Sequence, residues 1–148
     1  MGFLNALEQA RGAGDPDAFC AAVPYARLLG MGFRELDADL LFSLPFRQDN
    51  IGNPLRPALH GGVIGAFMEH AAIIHLLWYG ESRRLPKVVD FSIDYLRPGQ
   101  PETTFARCTT CRQGKRVANV AVAAWQDDPD RPIATARAHF LRSGAGDS

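Results

Sequence analysis

The segment from Gly61 to Tyr79 constrains the fold of this chain more than any other part of its sequence. It predicts one long helix, from about Gly62 to Tyr79, that is apolar on almost every face through Val63, Ile64, Phe67, Ala71, Ile74, Leu77 and Trp78. Such a helix must be covered on most sides, by protein or by lipid. Glu69 lies in its middle, and a carboxylate at mid-membrane costs roughly 2.5–3.5 kcal/mol on insertion scales. We therefore expect a buried helix in the core of a soluble protein, ended by Gly80.

The segments on either side of this helix alternate between polar and apolar residues, which predicts strands. Two strands precede the helix and four follow it, at residues 26–36, 39–47, 87–97, 103–112, 116–126 and 132–142. Near the N-terminus, residues 3–11 and 15–23 predict two short helices, the second capped by Asp15 and stopped by Pro24. The sequence therefore predicts an α+β fold in which a curved antiparallel sheet of about six strands wraps one central helix, with short N-terminal helices.

The length of 148 residues suits one domain with one core. We expect a helical segment over residues 1–24, a main domain over residues 25–143 and a flexible tail over residues 144–148. Sixteen basic residues balance sixteen acidic residues, which argues against nucleic acid as a partner. Residues 1–10 lack the pattern of a signal peptide. These features together favour a cytoplasmic protein without a membrane partner.

The cysteines and histidines do not have the spacing of a metal site. Cys108 and Cys111 match C-x-x-C, but strand alternation would place their side chains on opposite faces, and no second pair of ligands follows. His70 and His75 are about 140° apart around the helix. Three cysteines also make no disulfide framework. We therefore expect packing roles for these residues, with no metal and no cofactor.

The start of the long helix is the first candidate for chemistry. His60-Gly61-Gly62 opens the helix after an irregular loop, and Gly65 follows about one turn later. Unpaired N–H groups and a partial positive charge collect at a helix N-terminus. Glycine lets a ligand come close to these groups, so the segment can hold a developing oxyanion. The alternative is structural, with glycines that pack against the sheet and His60 as a cap.

Glu69 is the second candidate. Burial among apolar residues would raise the pKa of its carboxyl group toward that of a useful general base. The alternative is a surface glutamate, or one paired with His70 or an arginine. Glu69 lies about 12 Å along the helix axis from Gly61, whereas a base and an oxyanion donor each need to be about 3 Å from the reacting centre. If both act on one carbonyl, they must come from two antiparallel copies of the helix, in a homodimer.

A loop with Asn53, the His60-Gly61-Gly62 sequence and an acid nine residues after the histidine form a fairly specific signature. With them, the chain resembles the hotdog-fold thioesterases of the PaaI and 4-hydroxybenzoyl-CoA thioesterase group over nearly its full length from residue 25. The segment Tyr95–Pro98 also looks like this family. The resemblance implies a hotdog fold and hydrolysis of an aryl- or medium-chain acyl-CoA. CoA is then part of the substrate, and the assembly is a homodimer or a dimer of dimers.

The resemblance also implies roles for individual residues. Gly61 N–H would polarise the thioester carbonyl, with Gly62 beside it. Glu69 from the second subunit would act as base or nucleophile, and His60 would hold the loop or help to bind the carbonyl side. The CoA nucleotide would lie near basic side chains that otherwise form a solvated rim, namely Arg97, Arg112, Lys115 and Arg116.

This sequence departs from the family in two respects. Relatives often carry Asn or Gln six residues before the histidine, where this chain has Pro54, so either the loop has one extra residue or Asn53 plays a different part. The Ser or Thr hydroxyl of many relatives falls at Val88 or Ile73. Asp90, which strand alternation would place on the same face as Val88, is a substitute for positioning the water, or else caps a backbone group. The Val88 departure leaves a non-catalytic acyl-CoA-binding hotdog protein as an alternative. A hotdog 3-hydroxyacyl-thioester dehydratase is a further alternative, although the proline-rich motif of those enzymes after the histidine is absent here.

Overall fold

The computed structural model describes residues 2–80 and 85–141, apart from the side chain of Gln113. Within these residues the chain forms α1 (Phe3–Gly12), α2 (Pro16–Ala22), α3 (Pro24–Leu29), β1 (Gly32–Leu36), β2 (Asp39–Leu44), α4 (Gly61–Tyr79), β3 (Lys87–Tyr95), β4 (Thr104–Gln113), β5 (Val117–Trp125) and β6 (Ala134–Leu141). A short 3-10 turn at Gln48–Asn50 interrupts the loop between β2 and α4. The tail expected over residues 144–148 lies outside the described residues.

One antiparallel sheet contains the six strands, in the order β1-β2-β4-β5-β6-β3. Alternate residues of β5 and β6 are buried on the face that carries α4, and most of them are small: Ala118, Val120, Val122, Ala124, Ala134, Ala136, Ala138 and Phe140. Small side chains let the helix lie close to the sheet, because interiors pack without voids. The predicted α+β fold, with a long helix held by a six-stranded antiparallel sheet, is confirmed.

α4 contains the apolar residues that the sequence singled out. By length and composition alone it is able to cross a membrane, but half of that stretch is buried inside the protein. Nine of its nineteen residues are buried, namely Ile64, Phe67, Met68, Ala71, Ala72, Ile74, His75, Leu77 and Trp78. The helix therefore occupies the core position that was predicted for it.

The N-terminal region contains one more helix than the sequence predicted. The strand expected over residues 26–36 is wrong in its first part, since Pro24–Leu29 forms α3 and only Gly32–Leu36 forms β1. Pro24 follows the end of α2 but also starts α3, because proline suits the first position of a helix. Gly30, with φ of 72°, then ends α3 in the left-handed conformation that favours glycine.

Two side chains tie the C-terminal end of α4 to the rest of the protein. Arg11 Nη1 donates hydrogen bonds to Leu77 O at 2.8 Å and to Gly80 O at 2.6 Å. Such carbonyl groups at a helix end lack partners within the helix. Trp78 Nε1 donates to Glu35 Oε1 of β1 at 2.8 Å. These contacts hold one end of α4, and its other end begins at the candidate site.

Candidate active site

His60 caps the start of α4. Its backbone is extended (φ −60°, ψ 131°), and its Nδ1 accepts a hydrogen bond from Gly62 N–H at 2.9 Å. Because Nδ1 is an acceptor, the proton of the neutral imidazole is on Nε2. The structural alternative for His60, a helix cap, is thus realised. The N–H of Gly62, a predicted substrate-binding residue, already has an acceptor in the His60 ring.

All but one of the backbone N–H groups from residue 59 to residue 64 donate a hydrogen bond to a described residue. Their acceptors are Gly99 O for Leu59 (2.8 Å), Asn50 O for His60 (2.8 Å), the His60 ring for Gly62 (2.9 Å), and His60 O for Val63 (3.0 Å) and Ile64 (3.2 Å). Gly61 N–H donates to no residue that the structure describes. An N–H group without a partner in the first turn carries the partial positive charge of the helix N-terminus. Gly61 is therefore a ready donor for an incoming oxygen.

Gly61 also lines a small cavity of about 330 Å³. It is lined by Leu59, Gly61, Ile64, Tyr95, Leu96, Arg97, Pro98 and Gly99. Arg97, which the sequence marked as substrate-binding, is held by a hydrogen bond from its Nε to Pro132 O at 3.1 Å. The structure thus brings Arg97 and Gly61 together on one cavity, although 36 residues separate them in the sequence.

Glu69 lies about two turns into α4 and is partly exposed. No hydrogen bond or ion pair joins it to any residue within 2–80 or 85–141. The expected alternative partner His70 instead bonds through Nδ1 to Ala66 O at 2.9 Å, and its ring lies 5.1 Å from that of Tyr25. Glu69 shares one partly exposed stripe with apolar neighbours at helical spacing, namely Val63, Ala66, Ile73 and Leu76. The carboxylate is therefore placed on an apolar helix face that the chain covers only in part.

The loop before α4 contains one contact that the sequence did not reveal. Asn53 Oδ1 accepts from Leu55 N–H at 3.0 Å, so Asn53 closes a local turn, and the structure shows no hydrogen bond from it to His60 or Gly61. Asn50 instead supplies the carbonyl that holds His60 N–H, and its buried Nδ2 has no partner among the described residues. Nothing in the local spacing distinguishes Asn50 from the other polar residues of this loop.

A β-bulge changes the predicted orientation of Asp90. Val88 stands opposite the buried Phe140, whereas Asp90 stands opposite His139, because the register shifts between Val88 and Asp90. The expectation that these two side chains share a face is therefore wrong, since one extra residue reverses the alternation. Asp90 Oδ2 lies 3.3 Å from His139 Nδ1 on the outer face of the sheet. The sheet separates Asp90 from α4.

The other predicted basic residues lie far from Gly61 within one chain. Arg112 is on the outer face in the same row of the sheet as Asp90, and the exposed residues Lys115 and Arg116 lie in the β4–β5 turn. This turn is at the end of the sheet where β3 begins, whereas Arg97 follows the other end of β3. The nine residues of β3 span about 30 Å.

A larger groove of about 720 Å³ occupies the outer face of the sheet. Its lining includes Arg107, Thr109, Trp125, Asp130 and Arg137. Arg107 lies over the Trp125 ring, 5.8 Å from the centroid, and pairs with Asp39 at 3.5 Å. Because the sheet separates this groove from α4, its size does not make it part of the candidate site.

The cysteines show no sign of nucleophilic chemistry. Cys108 is buried, whereas Cys111 is exposed and lies at a register shift of β4 between Thr110 and Arg112. Burial raises the pKa of the Cys20 thiol to about 12, with a smaller contribution from the Asp17 carboxylate. Burial also raises the pKa of Cys108 far above its usual range, and Asp39 adds to this. These two thiols therefore stay protonated and unreactive at neutral pH.

A long helix on the inner face of a six-stranded antiparallel sheet defines the hotdog fold. Residues 57–133, more than half of the chain, match the model of the thioesterase superfamily, and the chain belongs to this family. The resemblance to hotdog-fold thioesterases is thus confirmed. The chain is a thioester hydrolase by family.

Individual relatives match the chain over most of its length. The chain is 29% identical over 142 residues to the medium/long-chain acyl-CoA thioesterase YigI of Escherichia coli K12, with 84% of this chain and 89% of YigI covered. A crystal structure of a Chromobacterium violaceum protein is 48% identical, with a TM-score of 0.80 over 95% of this chain and 98% of that one. A phenylacetic acid degradation-related protein of Ralstonia eutropha JMP134 shares the fold, with a TM-score of 0.75 and 23% identity over 93% of this chain and 100% of that one.

Proposed function

We propose that this protein hydrolyses the thioester bond of acyl-CoA, with a medium-chain acyl group as its preferred substrate class. The observation that carries the proposal is the unpaired N–H of Gly61, a residue that lines a cavity at the start of α4 in a chain of the thioesterase superfamily. The medium/long-chain acyl-CoA thioesterase YigI is a relative that supports the choice of substrate. The reaction needs no cofactor, since water is the second reactant.

The chemistry assigns one role to each candidate group. Gly61 N–H donates to the carbonyl oxygen as it gains negative charge, and a donor of this kind contributes about 10²–10³ in rate. As base, Glu69 takes a proton from water while the water oxygen bonds to the carbonyl carbon. The C–S bond then breaks, the proton passes from Glu69 to the leaving sulfur, and a carboxylic acid and free CoA are released. As nucleophile, Glu69 would instead bond to the carbonyl carbon and displace the CoA thiolate, which takes a proton from water. Hydroxide or water then opens the resulting anhydride and releases the carboxylic acid and Glu69.

The separation of these two groups favours a site shared by two subunits. Gly61 and Glu69 are about 12 Å apart along one rigid helix, which is too far for both to contact one carbonyl. The partly exposed stripe of α4 has the 3-3-4-3 spacing of a helix-packing seam, and Glu69 lies in the middle of it. A second α4, antiparallel to the first, would bring its Glu69 to the Gly61 of the first subunit.

The edge of the sheet supports the same assembly. β3 is an edge strand of nine residues, and it exposes apolar side chains at Val88, Val89 and Tyr95. A long edge with exposed apolar residues is a template for pairing with another strand. Two β3 strands that pair antiparallel about a two-fold axis also place the start of one strand beside the end of the other. Lys115 and Arg116 of one subunit would then approach Arg97 of the other, where the phosphates of CoA need cations.

The test of the oxyanion donor is a matched pair of variants at Gly61. Proline suits the first helical position, and His60 already has the extended backbone (ψ 131°) that a residue before proline adopts. Gly61→Pro therefore removes the N–H, whereas Gly61→Ala adds a side chain and keeps the N–H. We expect thiol release from medium-chain acyl-CoA to fall by about 10²–10³ more in Gly61→Pro than in Gly61→Ala. Equal activity in the two variants would exclude Gly61 as the donor. If the wild type binds acyl-CoA but releases no thiol, the protein is a binding protein and not an enzyme.

A further inference from the structure

Tyr95, at the end of β3, makes a specific contact with the start of α4. Its hydroxyl donates a hydrogen bond to Gly61 O at 2.6 Å. Its ring lies over the glycines of the first turns, so that a Cβ atom at Gly61 would be 3.3 Å from the ring and one at Gly65 would be 3.5 Å from the hydroxyl. Gly61 and Gly65 therefore pack against a side chain of the sheet, as the structural alternative for these glycines predicts.

The peptide group between Gly61 and Gly62 is held at both of its polar atoms. Its C=O accepts from Tyr95, and its N–H donates to His60 Nδ1 at 2.9 Å. A peptide group is planar, so two hydrogen bonds on opposite sides fix its orientation. Glycine has little conformational preference of its own, and helix ends fray when they are not held. The unpaired Gly61 N–H belongs to the preceding peptide group, between His60 and Gly61. This group shares the Gly61 Cα atom with the peptide group that the two hydrogen bonds hold.

We propose that Tyr95 is a positioning residue, whose hydroxyl fixes the Gly61–Gly62 peptide so that Gly61 N–H stays directed at the thioester carbonyl. The inference rests on the proposed function of Gly61 as the oxyanion donor. Tyr95 and Gly61 line the same cavity, so a shift of the tyrosine also changes the wall against which the substrate lies. The hydrogen bond reaches across 34 residues and joins the end of β3 to the start of α4.

The first test is Tyr95→Phe, which keeps the ring over the glycines and removes only the hydroxyl. We expect kcat for thioester hydrolysis to fall by between about tenfold and a hundredfold, because small displacements of a catalytic group cost that much. KM should change by less than about twofold, since the contacts to the ground state stay. The control is Tyr79→Phe, which removes a hydroxyl bonded to Ala38 O at 3.4 Å and should leave both constants unchanged. Wild-type kcat in Tyr95→Phe overturns the proposal.

The second test asks whether Tyr95 acts through Gly61. Once Gly61→Pro has removed the N–H, Tyr95→Phe should lower kcat no further, as expected of two residues that act as a unit. A loss in the double variant equal to the product of the two single losses overturns the proposal. Amide NMR signals of Gly61 and Gly62 give a readout that needs no turnover, and they should shift in Tyr95→Phe but not in Tyr79→Phe. If these signals shift in Tyr95→Phe but the wild type hydrolyses no thioester, the proposed function fails and the structural role of Tyr95 stands. If the signals do not change, the structural role of Tyr95 is refuted.

Discussion

Gly61 and Gly65 make room on α4 for the ring of Tyr95, and they differ in how much room is left. A Cβ atom at Gly61 would be 3.3 Å from the tyrosine ring, which requires a small shift of that ring. At Gly65 the nearest atom would be 3.5 Å away, an ordinary van der Waals distance. Both glycines thus pack against Tyr95, whereas only Gly61 is proposed to donate a hydrogen bond to the substrate. Substitution of Gly65 therefore tests the packing without touching the proposed donor.

Gly65→Ala is expected to stabilise the protein. Glycine inside a helix costs about 0.5–1 kcal/mol relative to alanine, and the added methyl group meets no close neighbour. Urea denaturation should therefore show a free energy of unfolding higher by about that amount, with thioester hydrolysis unchanged. Gly62→Ala serves as the control without this gain, because its Cβ atom would lie 3.0 Å from the His60 ring. A loss of activity in Gly65→Ala would show instead that substrate reaches this glycine.

His75 is expected to make the stability depend on pH. Burial lowers its pKa from the ordinary 6.5, and the Asp39 carboxylate only partly opposes this. Its Nε2 lies 3.1 Å from Thr110 Oγ1, and its buried Nδ1 has no partner among the described residues. The unfolded chain therefore takes up a proton at a higher pH than the folded one does. The free energy of unfolding is highest above pH 6.5 and falls as the pH drops from there to the lower pKa of the folded state.

The measurement is the free energy of unfolding by urea at a series of pH values on either side of 6.5. His75→Gln cannot titrate, so its stability should fall less than that of the wild type over the same pH range. Identical slopes for the wild type and His75→Gln would contradict the expectation.

At the scale of elements, the sequence predicts those helices and strands that show a clear hydrophobic period. The long helix and the strands after it follow from spacing, and the His60-Gly61-Gly62 start of α4 follows from its glycines. α3 was missed because a six-residue helix offers too few positions to reveal a helical period. The bulge between Val88 and Asp90 was missed because one extra residue does not change the composition of the strand. That residue nevertheless moves each side chain before the bulge to the opposite face of the sheet. The Tyr95–Gly61 bond joins distant segments, which spacing cannot show.

The contact between α1 and α4 gives a prediction about elements. Arg11→Met keeps an apolar stem but removes the hydrogen bonds to Leu77 O and Gly80 O. Hydrogen bonds to a charged group contribute about 1.5–3 kcal/mol, so we expect a loss of stability of about that size or somewhat less at this partly exposed residue. Arg27→Met, at an exposed arginine of α3, is the matched control. Chemical denaturation of both variants provides the comparison, and equal stabilities would show that the cap contributes little.

At the scale of the whole molecule, the proposed site predicts complementation between inactive subunits. Glu69→Ala and Gly61→Pro should each be nearly inactive alone. A mixed dimer would contain one site with both groups intact and one site with neither, because each site takes one group from each chain. Refolding an equal mixture should therefore restore about a quarter of the wild-type thiol release. A mixture of Glu69→Ala and Glu69→Gln is the control that recovers nothing. No recovery in the first mixture, or a protein that sediments as a monomer, would exclude the shared site.

The hydrogen bond from Leu59 N–H to Gly99 O joins the segment before α4 to the turn after β3 at 2.8 Å. A side chain at Gly99 would come within 3.2–3.3 Å of Leu59 and Ile64, so the two segments interlock without space between them. A substrate that displaces this turn must therefore also displace the start of α4. Insertions or deletions between β3 and β4 should accordingly abolish turnover at lengths that the sheet itself still tolerates.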